Sequence, residues 1–295
     1  MNLKQLEYFI RVAEHGSFSK AALLLDIAQP ALSRQVRALE TELREALFLR
    51  NGRGVTLTEA GARLLEHGQN ILQMLANARE DLGAQRDEPL GRVVIGMPPT
   101  LARLHTLALI HTFHREMPKA RLSVMEGFSV HITEWLLSGR ADLALVYNPE
   151  PLPALEIEPL AEEHMSLVSP AAEAPGGPVA LRDLPRYPLI LPQRGYIFRK
   201  LMEQSAAMAG VQLNVAWEVS SLPVILDLVA AGMGHAVLGE AAIRQFPRPE
   251  KLALTRFAGV DIKSTLCLVT PAQKRATPLI KRSSEVLRRL VLNQA

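Results

Sequence analysis

Five residues early in the chain, Gln29, Pro30, Ser33, Arg34 and Arg37, have the types and spacing to grip a nucleic-acid duplex. On a helix, at about 100° per residue, Gln29, Ser33, Arg34 and Arg37 share an arc of roughly 140°. Gln and Arg can form paired hydrogen bonds with the major-groove edges of adenine and guanine, and Ser can bond base or phosphate. All sit in the N-terminal half of the segment, which suits a helix entering the groove end-first. A second basic pair, Arg50 and Arg53, flanks Gly52 in R-N-G-R-G, a tight turn whose guanidinium groups suit phosphate or a narrow minor groove. The plain alternative is a solvated helix face and a solvated loop.

The surrounding residues supply what those side chains need to be held in place. Leu32, Val36, Leu39 and Leu43 fall in a stripe about 60° wide, enough to dock the helix on its neighbours. Pro30 belongs in the first turn, where a missing N–H and a fixed φ do no harm. Upstream, residues 18–25 form a short helix capped by Ser17 or Ser19, and Asp26, Ile27 and Ala28 make the turn. Ala21, Ala22 and Ala28 fit a close helix crossing. Leu3, Leu6, Phe9, Ile10 and Val12 predict a supporting helix over 3–14, ended at His15-Gly16. Phe48 is expected to plug the core, and V-T-L completes a hairpin wing behind the basic turn.

Four motifs stand in order here: L-x-x-L-x-Y-F from Leu3, G-S-F-S-x-A-A from Gly16, Q-P-A-L-S-R-Q-V-R-x-L-E from Gln29, and L-F-x-R from Leu47. Through them residues 1–58 closely resemble the DNA-binding domain of the LysR-type transcriptional regulators, and the length and element order extend that likeness over the whole chain. The resemblance implies double-stranded promoter DNA as partner, RNA polymerase contact if it activates, and a homotetramer assembled from dimers. It also implies control of a neighbouring divergent gene and often repression of the protein's own gene.

Composition sets looser limits. A chain of 295 residues, 48% hydrophobic and 21% charged, can bury more than one core, which predicts two or three domains. A net charge of +3 is compatible with nucleic acid without requiring it. Over residues 1–58 the bases Lys4, Arg11, Lys20, Arg34, Arg37, Arg44, Arg50 and Arg53 outnumber Glu7, Glu14, Asp26, Glu40, Glu42 and Glu45 by only two. The case for DNA therefore rests on where the arginines sit. The absence of an apolar leader and of any run of about eighteen apolar residues predicts neither export nor a membrane span, and a cytoplasmic protein. Cys267, the single cysteine, can form no intrachain disulfide and lies in S-T-L-C-L-V-T, where a buried strand thiol is expected.

After Thr58 a helical pattern runs to about Glu88, stopped by Pro89. Leu57, Gly61, Leu64, Gly68, Ile71, Leu75, Ala78 and Leu82 form a heptad seam, which predicts pairing with a second copy and hence a homodimer through residues 58–88. Packing against a domain of the same chain is the alternative. Gly61 and Gly68 each cost about 1 kcal/mol of helix propensity, so they serve close approach or bending. A dimer with two recognition helices should read a palindromic site.

From Gly91 strands and helices alternate. G-R-V-V-I-G-M, a helix over 101–117, R-L-S-V-M-E, a helix over 129–139 and D-L-A-L-V-Y make a βαβαβ unit with a parallel sheet. P-L-I-L-P, a helix near 196–209, N-V-A-W-E-V, a helix over 222–231 and H-A-V-L-G make a second. Segments 155–170 and 255–270 read as the connections, and a last helix over 276–292 returns to the first lobe. The fold class is thus α+β followed by α/β. It comprises a winged helix-turn-helix (1–58), a long linker helix (59–88) and a two-lobed domain (89–295), with lobe I about 91–161 and 268–295 and lobe II about 162–267. The resemblance implies that this last part is a periplasmic-binding-protein-like effector domain.

Ligands in such sheets bind beyond the carboxyl ends of the strands. Thr100, Ser129 and Ser221 stand at three strand-to-helix junctions, where a hydroxyl beside free helix N–H groups can cap the helix or face an anion. Phe128, Tyr147 and Leu222 can wall the cleft, and Arg194 and Arg199 can supply charge to a carboxylate. The expected effector is an organic acid, although regulation without a small ligand stays open. No cofactor or metal is expected: His105, His111 and His114 share one helical segment without cysteine or a carboxylate set and read as surface residues. Gly232-Met233-Gly234 follows a helix and precedes a strand, the reverse of a dinucleotide fingerprint. No G-x-S-x-G or P-loop occurs, so an enzyme lacks its catalytic constellation, and an exported solute-binding protein would leave the first 88 residues without use.

Overall fold

The computed structural model describes residues 1–51, 54–83, 89–194, 196–244, 246–272 and 277–293. The chain divides into two compact units, Met1–Gln85 with Ser138–Arg140, and Arg86–Leu137 with Ala141–Ala295.

In the first unit, α1 (Leu3–His15) opens with a reciprocal cap in which Asn2 Oδ1 accepts from the Gln5 N–H at 2.9 Å and Gln5 Oε1 accepts from the Asn2 N–H at 3.0 Å. Ser17, not Ser19, caps α2 (Phe18–Leu24), its Oγ accepting from the Lys20 N–H at 3.3 Å. Asp26 turns the chain with φ 52°, the left-handed conformation that short polar side chains tolerate. α3 (Gln29–Leu43) follows. Leu32, Val36 and Leu39 are fully buried against α1 and α2, whereas Leu43 is 36% exposed and does not extend the docking stripe. β1 (Phe48–Asn51) and β2 (Gly54–Leu57) pair antiparallel as the wing, in register from Phe48↔Leu57 to Asn51↔Gly54. The Phe48 ring does enter the core, 5.2 Å from Phe9 and 5.7 Å from Phe18 between centroids. Glu40 Oε1 ties α3 to the wing by accepting from the Leu47 and Phe48 N–H groups at 2.9 and 3.3 Å.

In α4 (Glu59–Gly83) the first half of the seam follows the same-chain alternative. Leu57, Leu64 and Ile71 pack on Leu6, Phe9 and Ile10 of the same chain, so the first half of the stripe already has an intramolecular partner. The two glycines serve that contact: a Cβ at Gly61 would lie 2.2 Å from the Leu47 carbonyl oxygen, and one at Gly68 2.8 Å from Leu6 Cδ1. The end of the expected helix, 84–88, and the side chain of Leu82 lie outside the described residues.

In the second unit β3 (Gly91–Met97), α5 (Pro99–Glu116), β4 (Ala120–Glu126), α6 (Ser129–Leu137) and β5 (Leu143–Tyr147) form the expected βαβαβ unit, with β3 parallel to both β4 and β5. β6 (Leu155–Pro170) is one long strand. β7 (Val179–Ala180), β8 (Leu189–Leu191), α7 (Ile197–Met208), β9 (Val215–Glu218), α8 (Leu222–Ala230), β10 (Ala236–Gly239) and α9 (Glu240–Arg244) follow. The chain closes with β11 (Leu252–Thr255), β12 (Phe257–Ala258), β13 (Lys263–Pro271) and α10 (Pro278–Leu292). Strand order is β10-β6-β13-β5-β3-β4, with β11 also on β6. The long strands β6 and β13 are the two crossovers, antiparallel from Leu155↔Pro271 to His164↔Lys263. β8 and β9 pair in parallel, and α10 packs back on α5. Burial of Val93, Ile95, Leu109, Leu143 and Leu145 defines the first lobe's core; Leu167, Leu184, Leu189, Met202 and Val237 define the second's. Cys267 is buried in β13, as expected, and burial pushes its thiol pKa up.

Candidate functional site: a recognition helix and an interlobe cleft

α3 presents its two faces as amphipathicity requires. Gln29, Pro30, Arg34 and Arg37 are exposed and Ser33 is half-buried, opposite the buried Leu32, Val36 and Leu39. Ala28 caps the helix with backbone only, and Pro30 stands in its first turn. The N-terminal end of α3 is therefore polar, basic and open to solvent, the condition for insertion into a major groove. Arg50 lies in β1 opposite Val55. Its side chain, and all of Arg53, lie outside the described residues.

In the second unit a cavity of about 1170 Å³ opens between the lobes. Thr100, Phe128, Ser129, Tyr147, Ser221 and Leu222 all line it, so six residues distant in sequence meet at one place. Capping does not consume their hydroxyls. Pro98 precedes α5 as its cap and Thr100 lies inside the first turn, and Ser221 precedes α8 without a side-chain cap bond. Ser129 is the first residue of α6.

The two arginines are a correction, for neither lines the cavity. Arg199 is only 4% exposed, its Nε donating to Glu203 Oε1 at 2.8 Å and its Nη1 to the Pro192 carbonyl at 3.3 Å, with Glu218 3.5 Å away. Its charge is committed to carboxylates within its own lobe. Arg194 is 82% exposed beside Glu203 at 3.4 Å. Spacing in L-P-Q-R-G-Y-I-F-R placed both near a helix start, but helical phase turns Arg199 inward behind α7.

Other residues of the site carried no sequence signal. Glu163, in the middle of β6, reaches the cavity floor and accepts from the Ala241 N–H at 3.3 Å and from the Tyr147 hydroxyl. Burial raises the Glu163 carboxyl pKa, and burial together with that carboxylate raises Tyr147 well above the usual phenol. Gly239 makes room for the carboxylate: a Cβ there would lie 2.1 Å from Glu163 Oε1. Tyr196 stacks obliquely on Phe128 across the cleft at 4.1 Å, and Phe198 meets Tyr147 at 5.1 Å. Ser220 Oγ lines the cavity without a hydrogen-bond partner.

The histidine reading also needs correcting. His111 and His114 are exposed, but His105 is buried, its Nδ1 is unpartnered, and burial lowers its pKa. Among the described residues no group of three or more His, Cys, Asp or Glu could hold a metal. One constellation with the residue types of a hydrolase does occur: His235 Nδ1 is 2.9 Å from Ser169 Oγ and its Nε2 is 3.7 Å from Glu173. Ser169 is fully buried and beyond the reach of a substrate, so the set acts as a satisfied polar contact within the lobe. No described helix is long and apolar enough to cross a membrane.

A winged helix-turn-helix carrying an open basic face, in one chain with a two-lobed α/β unit that encloses a cleft, defines a class: DNA-binding regulators with an effector-binding domain. Residues 3–62 match the bacterial regulatory helix-turn-helix of the lysR family and residues 86–291 match the LysR substrate binding domain. The nitrogen assimilation regulatory protein nac of Klebsiella aerogenes is 31% identical over 292 residues, covering 99% of this chain and 95% of the relative. The transcriptional activator IlvY of Salmonella typhimurium is 29% identical, covering 97% and 99%. Among solved structures, full-length CbnR complexed with its target DNA superposes with a TM-score of 0.74 at 26% identity, over 98% of this chain and all of that one. The chain belongs to the LysR-type transcriptional regulators.

Proposed function

We propose that Gln29, Pro30, Ser33, Arg34 and Arg37 read and grip the major groove of promoter DNA, while Arg50 and Arg53 hold the backbone or the minor groove. The observation that carries this is the division of α3 into a fully buried apolar face and an exposed face with Gln29, Arg34 and Arg37 at its N-terminal end. The relative crystallised on its target DNA supports it. On this reading residues 1–58 bind DNA, 59–88 link and dimerise, and 89–295 receive the effector between two lobes. Because Leu64 and Ile71 already face α1, pairing with the twin helix falls to other faces of α4 and to its C-terminal half. A two-fold dimer, assembling further to a tetramer, presents two recognition helices to a dyad-symmetric operator. The protein acts in the cytoplasm, without catalysis of its own. Thr100, Ser129, Tyr147, Ser221, Phe128 and Leu222 contact the effector, which changes how the arms engage DNA and polymerase.

Footprinting and gel shift on the DNA upstream of its own gene test this reading. A two-fold symmetric footprint is expected, lost on Arg34→Ala. Sequence-indifferent protection unaffected by Arg34→Ala would refute the recognition-helix assignment.

A further inference from the structure

The chemistry of the cleft runs against the anion expected of it. Five carboxylates line the cavity, Glu126, Glu134, Glu150, Glu163 and Asp227, against two bases, Arg103 and Lys200. Lys200 is taken by Glu150 at 3.4 Å, and Asp227 pairs with Arg248 at 3.3 Å. Glu126, Glu134 and Glu163 then share Arg103 in the lining, with Arg244 near Glu163 but itself 3.9 Å from Glu240, and no ion pair of Glu126 or Glu134 is seen among the described residues. Aromatic rings point the same way. Phe128, Tyr147, Tyr196, Phe198 and Phe246 line the cavity, in a chain with only two Trp, four Tyr and eight Phe. Ring faces carry partial negative charge, attracting cations and repelling anions. Carboxylates among aromatic faces and little free positive charge are the setting in which an ammonium group is stabilised and a carboxylate is not.

Resting on the reading of this cleft as the effector site, we propose that its ligand is a cation with an apolar body, a protonated amine on an aromatic or branched hydrocarbon. The ammonium is received by Glu163 at the floor. Glu163 is built for that role: Gly239 leaves it room, while the Tyr147 hydroxyl and the Ala241 N–H orient it and leave further acceptor capacity on its two oxygens. Ser220 Oγ, shielded and unpartnered, offers one more acceptor on the same wall. Glu126 and Glu134 are exposed and attract the cation toward the opening.

Calorimetric titration of the full-length protein with three probes of one shape and different charge, phenethylamine, 2-phenylethanol and phenylacetate, decides the matter. Phenethylamine is expected to bind saturably and at least about tenfold more tightly than phenylacetate. Glu163→Gln should bring the two affinities together. Glu134→Gln, an exposed change that leaves the packing alone, should weaken the amine several-fold and phenylacetate not at all. Equal binding of the three, or an amine affinity indifferent to both substitutions, would overturn the proposal. Preference for phenylacetate would overturn the cationic class and keep the effector cleft, whereas saturable binding of none would remove both.

Discussion

At the residue scale, the proposed roles of Arg34 and Arg53 make different predictions for DNA binding. Arg34 is exposed on the face of α3 proposed to enter the groove, so Arg34→Ala should cost about 1–3 kcal/mol of operator binding and blur preference at one base position. Arg53→Ala, on the proposal that this residue holds the DNA backbone, should weaken specific and nonspecific DNA alike and flatten the salt dependence by about one unit of slope. Competitive gel shifts over a salt series separate the two, and identical behaviour of both variants would refute the division of roles. Buried histidines supply a different expectation. Burial holds the pKa of His105 and His235 below the ordinary histidine value, so as pH falls through roughly 6.5 the unfolded chain takes up protons that the folded chain refuses. Stability of the second unit is therefore complete above that pH and lost progressively below it. Urea denaturation against pH should show that slope, and His105→Leu, which removes one proton site and the unpartnered Nδ1, should reduce it.

At the element scale, α4 shows how a periodic pattern can be read correctly as a helix and yet be ambiguous in its partner. Leu57, Leu64 and Ile71 are spaced for a coiled coil, and the same spacing serves docking on α1. The glycines distinguish the two uses. Ala is worth about 1 kcal/mol more than Gly in a helix interior. At position 61, however, the new methyl would meet a backbone carbonyl at 2.2 Å, which cannot yield as a side-chain tip can. Gly61→Ala should thus destabilise the first unit by about 1–3 kcal/mol despite the propensity gain. Urea denaturation checks this, and a stabilised variant would refute the close approach of α4 to the Leu47 carbonyl.

For the whole molecule, two-fold symmetry predicts protected half-sites one helical turn, about 34 Å, or a multiple of it apart. An asymmetric footprint of a single half-site would contradict the dimer. The ligand response should be separable from DNA binding: Thr100→Trp fills the cavity from the start of α5 and should abolish the ligand-induced footprint change while leaving operator affinity intact. Much of this was legible in the chain alone. Period-3.6 and period-2 patterning, together with caps and turn residues, determined the helix-turn-helix, the wing and both βαβ units, because each depends on neighbours close in sequence. The same local logic brought Thr100, Ser129 and Ser221 to strand ends and hence to the cleft. It could not place Arg199, whose position depends on the carboxylates of Glu203 on its own helix and Glu218 on β9. Nor could it find Glu163, a polar residue in the middle of a strand that becomes functional only where β6 passes β10 and Tyr147. Sequence alone thus determined the winged helix-turn-helix fold, which is one contiguous local motif. The charge and chemistry of the effector cleft were decided by tertiary structure, since side chains scattered between Pro98 and Pro247 converge there and their sum, not any one of them, sets which ligand is stabilised.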